Sequence, residues 1–137
     1  MKVRRSKKVM ENYVCPVCWH QLQDCECEMY PPWSLTMIDV NMQEIVRILN
    51  RKGYQTISCC ESHWNDNHSV YVSFPMDYHF EIPEGFASVK RNTSVCYMYK
   101  KADNKDKETF EGVKAEKLRI LLEWAKTLPE NPSLFRR

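Results

Sequence analysis

The chain has 137 residues, 43% of them hydrophobic and 28% charged, and its formal net charge is +2. This length allows one domain with a hydrophobic core and a small appendage, and it excludes two domains of ordinary size. No apolar run approaches the ~18 residues of a membrane span, and the N-terminus lacks the apolar stretch of a signal peptide, so we expect a cytoplasmic protein that does not enter a membrane.

Residues 1–12 are predicted to form a flexible basic arm. The first eight residues carry five positive charges and no acid, which leaves a net charge of −3 on the other 129. A basic run can contact the phosphates of a nucleic acid, but at a chain terminus it is more often a solvated tail. Nucleic-acid binding through this arm is therefore an alternative that the sequence does not favour.

Residues 13–33 are predicted to form a zinc knuckle followed by a linker. Their cysteines follow a C-x2-C-x6-C-x-C pattern, and the two pairs can close a tetrahedron of thiolates around one Zn²⁺. Thiolates are soft ligands that favour zinc, and four of them leave no open position for a substrate. We therefore expect a structural zinc ion with the ligands Cys15, Cys18, Cys25 and Cys27. His20 is an alternative fourth ligand, in place of Cys25 or Cys27.

Residues 34–137 are predicted to form an α+β domain that begins with an amphipathic helix. Asp39 or Asn41 can cap the start of this helix, and Glu44 stands where a capping box requires an acid. Gly53 can end it in the left-handed conformation, and a strand over residues 54–60 follows. The apolar stripe of the helix consists of Ile38, Met42, Ile45, Val46 and Leu49.

The rest of the domain is predicted to contain three strands and a second helix. Alternation predicts a strand over residues 70–74 and a hairpin of residues 86–90 and 94–99. A charged, mobile loop over residues 100–108 would precede a last helix over residues 111–127. The predicted fold is a mostly antiparallel sheet with two helices packed on one face, plus the N-terminal zinc knuckle.

The loop after the first strand carries the reactive residues of this domain. Three interpretations compete for it. Cys60 or Cys59 could be a nucleophile activated by His63. Cys60, His63 and His68 could form a second metal site, although the sequence offers no evident fourth ligand. The third interpretation is a recognition loop that binds a ligand through hydrogen bonds and stacking, and the plain alternative to all three is a small buried cysteine beside a structural histidine.

We favour the recognition loop. The sequence places no acid or amide to orient His63, and Glu61 would disfavour a thiolate at Cys60. The ligand-binding residues that we expect are Ser58, Cys60, Ser62, His63, Trp64, Tyr71 and Arg91, with Asn65 as a further hydrogen-bonding group. Cations for an anionic ligand would come from Lys90, Arg91, Lys100 and Lys101.

Several segments resemble a group of small, mostly uncharacterised accessory proteins of bacteriophages and mobile elements. The resemblance rests on CPVC with CEC, LNRKGYQTISCCESH, VYVSF, IPEGF and LLEWAKTLP. Members of that group often have glycine before the histidine of the loop, where this chain has Ser62. The resemblance implies a protein of the host cytosol that acts by binding, inhibiting or sequestering a host-defence protein or a small anionic ligand such as a nucleotide. A thiol- or metal-dependent enzyme using Cys60 and His63 is the alternative.

Overall fold

The computed structural model describes residues 13–15, 20–21, 24, 36–64 and 69–131. In this part of the chain the α helices are α1 (Gln43–Arg51) and α2 (Lys107–Thr127). Short 3₁₀ helices cover Val40–Met42 and Lys101–Asn104. The strands are β1 (Tyr13–Val14), β2 (Thr36–Met37), β3 (Ser58–Cys60), β4 (Val70–Ser73), β5 (Ala87–Val89) and β6 (Ser94–Tyr97).

The main sheet has four antiparallel strands in the order β3-β4-β6-β5. Cys60 is opposite Tyr71, which is opposite Cys96, so these three residues share one face at one end of the sheet. Ser58, Ser73 and Ser94 form the corresponding row at the other end. The predicted α+β fold, with an antiparallel sheet and two helices, is confirmed.

The hydrophobic core lies between the sheet and the two helices. Alternation places Val70, Val72 and Val95 on the inner face of the sheet, where each is almost fully buried. The predicted apolar stripe of the first helix is confirmed, since all five of its residues are buried. Leu121, Trp124 and Ala125 of α2 complete the same core.

The first helix does not begin with the predicted cap. Neither Asp39 nor Met42 accepts a capping hydrogen bond through its side chain, and a turn of 3₁₀ helix precedes α1. Asn41 and Asp39 instead make hydrogen bonds with Glu61, which follows β3. The predicted capping by Asp39 or Asn41 is therefore wrong, because both side chains have partners on a distant segment. The left-handed conformation of Gly53 at the end of the helix is confirmed by its φ of 91°.

The first strand of the sheet is shorter than predicted. The strand covers only Ser58–Cys60, and residues 54–57 are irregular apart from one hydrogen bond that the N–H of Ile57 donates to the carbonyl of Ser73 in β4. Tyr54 is drawn into the core, where its hydroxyl donates to the carbonyl of Pro129 at 2.5 Å. Because Tyr54 leaves the plane of the sheet at this point, the predicted alternation from residue 54 does not produce strand pairing.

The charged segment before the last helix is structured, contrary to the predicted loop over residues 100–108. Lys101–Asn104 form a 3₁₀ turn, and α2 begins at Lys107 rather than residue 111. Asp106 caps α2, since its carboxylate accepts the backbone N–H of Thr109 at 2.7 Å. The high charge of this segment therefore reflects an exposed first turn of helix.

The described residues of the N-terminal segment pack on the main domain. β1 pairs with β2, Val14 belongs to the core, and the N–H of Cys15 donates to the carbonyl of His20 at 3.0 Å. The predicted arm over residues 1–12 and the predicted zinc ligands Cys18, Cys25 and Cys27 lie outside the described residues. Among the helices that are described, none has the length and apolar character needed to cross a membrane.

Candidate functional site

Glu61 anchors the loop that follows β3. Only 6% of this residue is exposed, and its carboxylate lies 2.7 Å from the ammonium group of Lys114 on α2. Asn41 donates to the same carboxylate from its side-chain amide at 2.7 Å and from its backbone N–H at 3.2 Å. Although burial raises the pKa of Glu61, the hydrogen bonds from Lys114 and Asn41 lower it overall. The loop is thus fixed at its first residue by an ionised, almost completely buried side chain.

Ser62 turns the chain immediately after this anchor. It is fully buried and has a φ of 76°, the left-handed conformation that non-glycine residues adopt rarely. Its backbone N–H donates to Sγ of Cys60 at 3.3 Å. His63 is the next residue and is exposed, whereas the ring of Trp64 packs on Phe110 with 5.5 Å between centroids. The turn therefore presents His63 to solvent from a rigid base.

Three side chains of different chemistry converge beside this turn. Nε2 of His63 lies 3.3 Å from Oδ2 of Asp39, and one metal-ligating atom from each of Asp39, Cys60 and His63 lies within 4.8 Å of the other two. Asp39 also accepts the backbone N–H of Glu61 at 3.1 Å. The sequence did not identify Asp39 as a site residue, because it precedes Cys60 by 21 positions and looked like a helix cap. Only its proximity to Cys60 and His63 in the fold reveals the cluster.

The two thiols of this region, Cys59 and Cys60, have raised pKa values. Burial, followed by the carboxylates of Asp39 and Glu61, raises the pKa of Cys60, and the N–H of Ser62 offsets only part of this effect. Burial raises the pKa of Cys59 to about 12, with a further contribution from Asp39. Because the thiolate is the reactive form, these environments disfavour covalent catalysis.

The residues predicted to bind a ligand fall into two groups. Cys60, Ser62, His63 and Trp64 lie at one end of the sheet, with Tyr71 opposite Cys60. Ser58 and Arg91 lie at the other end of the sheet. Ser58 pairs with Ser73 in the last row there. Arg91 is in the turn that follows the last pair of β5 and β6, Val89 with Ser94. Asn65 and His68 are outside the described residues.

The predicted cations for an anionic ligand are separated in the same way. Lys90 and Arg91 occupy the β5–β6 turn, whereas Lys100 and Lys101 follow β6 at the end of the sheet that carries Cys60. Lys114, which is close to the loop, is paired with Glu61. The structure therefore does not bring the four predicted cations together.

Exposed apolar side chains lie beside Asp39 and at the start of β3, which is an edge strand of the described sheet. Met37 is 65% exposed, Ile57 62% and Val40 40%, and these are three of the five large apolar side chains that are exposed among the described residues. A cavity of about 220 Å³ lies along the same edge. Its lining residues are Met37, Ile38, Val46, Thr56, Ile57, Ser58 and Cys59. We call Met37, Asp39, Val40, Ile57 and His63 the edge surface.

The predicted zinc knuckle is represented in the described residues by Cys15 and His20. Cys15 is fully buried, and its backbone N–H donates to the carbonyl of His20 at 3.0 Å. Nε2 of His20 lies 3.3 Å from the guanidinium group of Arg51. The zinc ion and its four cysteine ligands therefore remain a prediction from the sequence.

Comparisons of the chain with protein-family models, with curated proteins and with solved structures found no match.

Proposed function

We propose that the protein acts by binding a partner protein through the edge surface. The proposal is supported by the exposure of Met37 and Val40 on either side of Asp39 and of Ile57 immediately before β3. These are three of the five exposed large apolar side chains among the described residues, and β3 is an edge strand of the described sheet. Protein interfaces combine apolar anchors with a few polar groups that fix orientation. Isolated apolar side chains are common on any surface, but a cluster along a strand edge favours recognition of another chain.

The shape of this surface favours an extended segment of the partner. An edge strand has free backbone groups that can pair with an added strand, and pockets beside it give specificity for side chains. The cavity between Met37 and Ile57 can receive one large apolar side chain of such a segment. The expected occupant is therefore a strand of the partner protein that carries an apolar anchor residue.

The charges of the loop favour a partner with a hydrogen-bond donor or a basic side chain at this point. Asp39 is partly exposed, and Lys114 already neutralises Glu61. A small anionic ligand such as a nucleotide would meet the Asp39 carboxylate here, which opposes binding. A host-defence protein, one of the two partner classes that the resemblance implies, is therefore the better fit. The structural zinc ion held by Cys15, Cys18, Cys25 and Cys27 remains part of this proposal as a support for the N-terminal segment.

The alternative, an enzyme using Cys60 and His63, has less support. The raised pKa of the Cys60 thiol leaves little thiolate at neutral pH. The observation that favours the enzyme is the contact between Nε2 of His63 and the carboxylate of Asp39. A carboxylate in this position can orient a histidine that acts as a general base.

The proposal is tested by capture of proteins from a bacterial cell extract on immobilised full-length protein. The variant Ile57→Asp places a charge in the cavity and should reduce capture of the specific partner at least tenfold, because burial of an unpaired carboxylate costs several kcal/mol. Quantitative mass spectrometry of the captured proteins gives the ratio between wild type and variant. Circular dichroism checks that the exposed substitution leaves the fold intact.

Met98→Asp is the matched control, because Met98 is as exposed as Met37 but follows β6, which β4 separates from β3 in the sheet. A partner captured by wild type and by Met98→Asp, and lost from Ile57→Asp, supports the proposal. Equal capture by both variants, equal loss from both, or no protein retained by wild type above background would overturn it. Sedimentation showing a dimer that Ile57→Asp dissociates would also overturn it, because the occupant would then be a second copy.

A further inference from the structure

We propose that Asp39, Cys60 and His63 form a binding site for one divalent transition-metal ion, with Zn²⁺ as the ion that best suits their chemistry. This site is separate from the predicted knuckle and does not depend on the proposed partner protein. It differs from the metal site considered from the sequence, because Asp39 supplies the ligand that the loop itself lacks. The three residues come from two segments that meet only in the fold.

The distances between the donor atoms fit a small ion. Bonds of about 2.0–2.3 Å in a tetrahedral zinc site place the ligand atoms roughly 3.3–3.8 Å apart. Oδ2 of Asp39 and Nε2 of His63 are already 3.3 Å apart, and all three donor atoms lie within 4.8 Å of one another. At most about 1 Å of contraction therefore remains to reach the distances of a zinc site.

The backbone holds two of the ligands in place before any ion binds. The left-handed turn at Ser62 brings Cys60 and His63 to the same side of the loop. The N–H of Ser62 donates to Sγ of Cys60, and the N–H of Glu61 donates to Oδ2 of Asp39. Metal sites commonly orient their ligands through outer hydrogen bonds of this kind. Glu61 is itself held by Lys114, so the frame around the ligands is rigid.

The ligand types select among metal ions. Sulfur and imidazole nitrogen are poor ligands for Mg²⁺ and Ca²⁺, which prefer oxygen, and one carboxylate with one thiolate and one imidazole suits zinc. Asp39 supplies a carboxylate that Lys114 does not neutralise, and a bound dication would favour the thiolate form of Cys60. Three protein ligands leave one position of a tetrahedron for water or for a group of another molecule.

A second histidine–aspartate pair in the chain provides a comparison. Nδ1 of His79 lies 3.5 Å from Oδ2 of Asp77, and His79 is far more exposed than His63. Among the described residues no cysteine joins this pair. Among the residues that the structure describes, the group around Cys60 is the one set of three such side chains that converges. His79 is therefore the natural control for a histidine that merely accompanies a surface acid.

The test measures zinc bound per full-length chain, by elemental analysis after exposure to Zn²⁺ and removal of the excess. Cys60→Ser, His63→Ala and Asp39→Ala should each bind one zinc fewer than wild type. Cys59→Ser and His79→Ala should bind the same amount as wild type, whatever number of ions the N-terminal cysteines hold. Equal zinc content in wild type and in the three site variants would overturn the proposal.

Peptide-resolved alkylation identifies the ligand thiol directly and keeps the proposal testable if a site variant folds poorly. In the wild-type protein Zn²⁺ should slow alkylation of Cys60 more than tenfold, EDTA should reverse this protection, and Cys59 should respond less than twofold. Zn²⁺ should also protect Cys60 from alkylation in the Cys15→Ser variant, because the ion that protects Cys60 is not the one in the predicted knuckle. Alkylation of Cys60 that is unaffected by Zn²⁺ would overturn the proposal. The Ile57→Asp variant should lose partner binding and retain the zinc. Loss of partner binding and loss of the metal site are therefore distinguishable.

Discussion

At the scale of single residues, Glu61 is the side chain on which the candidate site depends. Its carboxylate binds Lys114 of α2 and both the amide and the backbone of Asn41, while its own N–H binds Asp39. These contacts join the start of the first helix, the end of β3 and the second helix. A buried ion pair need not add much net stability, but removing one partner leaves the other charge buried and unpaired.

We expect Glu61→Gln to lower the free energy of unfolding by about 3 kcal/mol at neutral pH, because Lys114 loses its partner in a nearly buried position. The pH dependence should change as well. The pKa of Glu61 is lowered in the folded state, so its contribution is complete above the unfolded value of about 4.3 and is lost as the pH falls through the folded value. Urea unfolding between pH 7 and pH 3 should therefore show a smaller acid-induced loss of stability in the variant.

Glu123→Gln is the control for this prediction. Glu123 lies 3.7 Å from Lys126, but both side chains are about half exposed, and surface pairs of this kind contribute at most about 1 kcal/mol. Equal effects of the two substitutions, or an unchanged pH dependence in Glu61→Gln, would show that the buried pair does not hold the loop.

At the scale of elements, the turn between β5 and β6 has a strained backbone. Lys90, Arg91 and Asn92 have φ values of 52°, 59° and 66°, so three consecutive non-glycine residues adopt the left-handed conformation. A side chain makes this conformation unfavourable by roughly 1–2 kcal/mol per residue, and asparagine tolerates it better than lysine or arginine. The register between β5 and β6 sets the length of the turn and imposes this geometry.

We expect Arg91→Gly to be more stable than Arg91→Ala by about 1 kcal/mol, because both remove the guanidinium group and only glycine relieves the backbone strain. Urea unfolding of the two variants and wild type measures the difference. Since Arg91 lies away from the edge surface, both variants should retain the partner binding and the zinc content of wild type. Equal stability of the two variants would show that the turn is not strained.

At the scale of the whole molecule, Lys52 connects the two helices. Its ammonium group donates to the carbonyls of Ala125, Lys126 and Leu128 at 2.9, 2.6 and 2.6 Å, and so caps the C-terminus of α2. The segment after α2 then returns to the turn after α1, where Asn131 donates to the carbonyls of Lys52 and Gly53. Both helices are thus held against the same face of the sheet at their C-terminal ends.

We expect Lys52→Met to lower the free energy of unfolding by about 2 kcal/mol, since the variant keeps the aliphatic part of the side chain and loses charged hydrogen bonds to three helix carbonyls. Thermal unfolding followed by circular dichroism should show a melting temperature several degrees lower. Lys126→Met, which removes an exposed cation from the last turn of α2, should change stability by less than about 0.5 kcal/mol. A loss in Lys126→Met as large as in Lys52→Met would contradict the assignment.

The local elements of the fold were predictable because their signals lie within a few residues of one another. The stripe of the first helix, the left-handed Gly53 and the alternation of β4 each depend on spacings that the chain itself sets. The predicted starts of both helices failed for a related reason. Asp39, Asn41 and Asp106 are all suitable caps, and their sequence context does not show which of them bind a nearby N–H and which bind a distant residue.

The sequence by itself determined the fold class and drew attention to Cys60 and His63, since hydrophobic periodicity and residue chemistry are local properties. The tertiary structure decided which residues accompany them. It placed Asp39 beside His63, paired Glu61 with Lys114 across 53 positions, and moved Arg91 to the far end of the sheet. These outcomes depend on strand register and on the packing of α2, which are fixed by burial of the whole core and not by any single stretch of the chain.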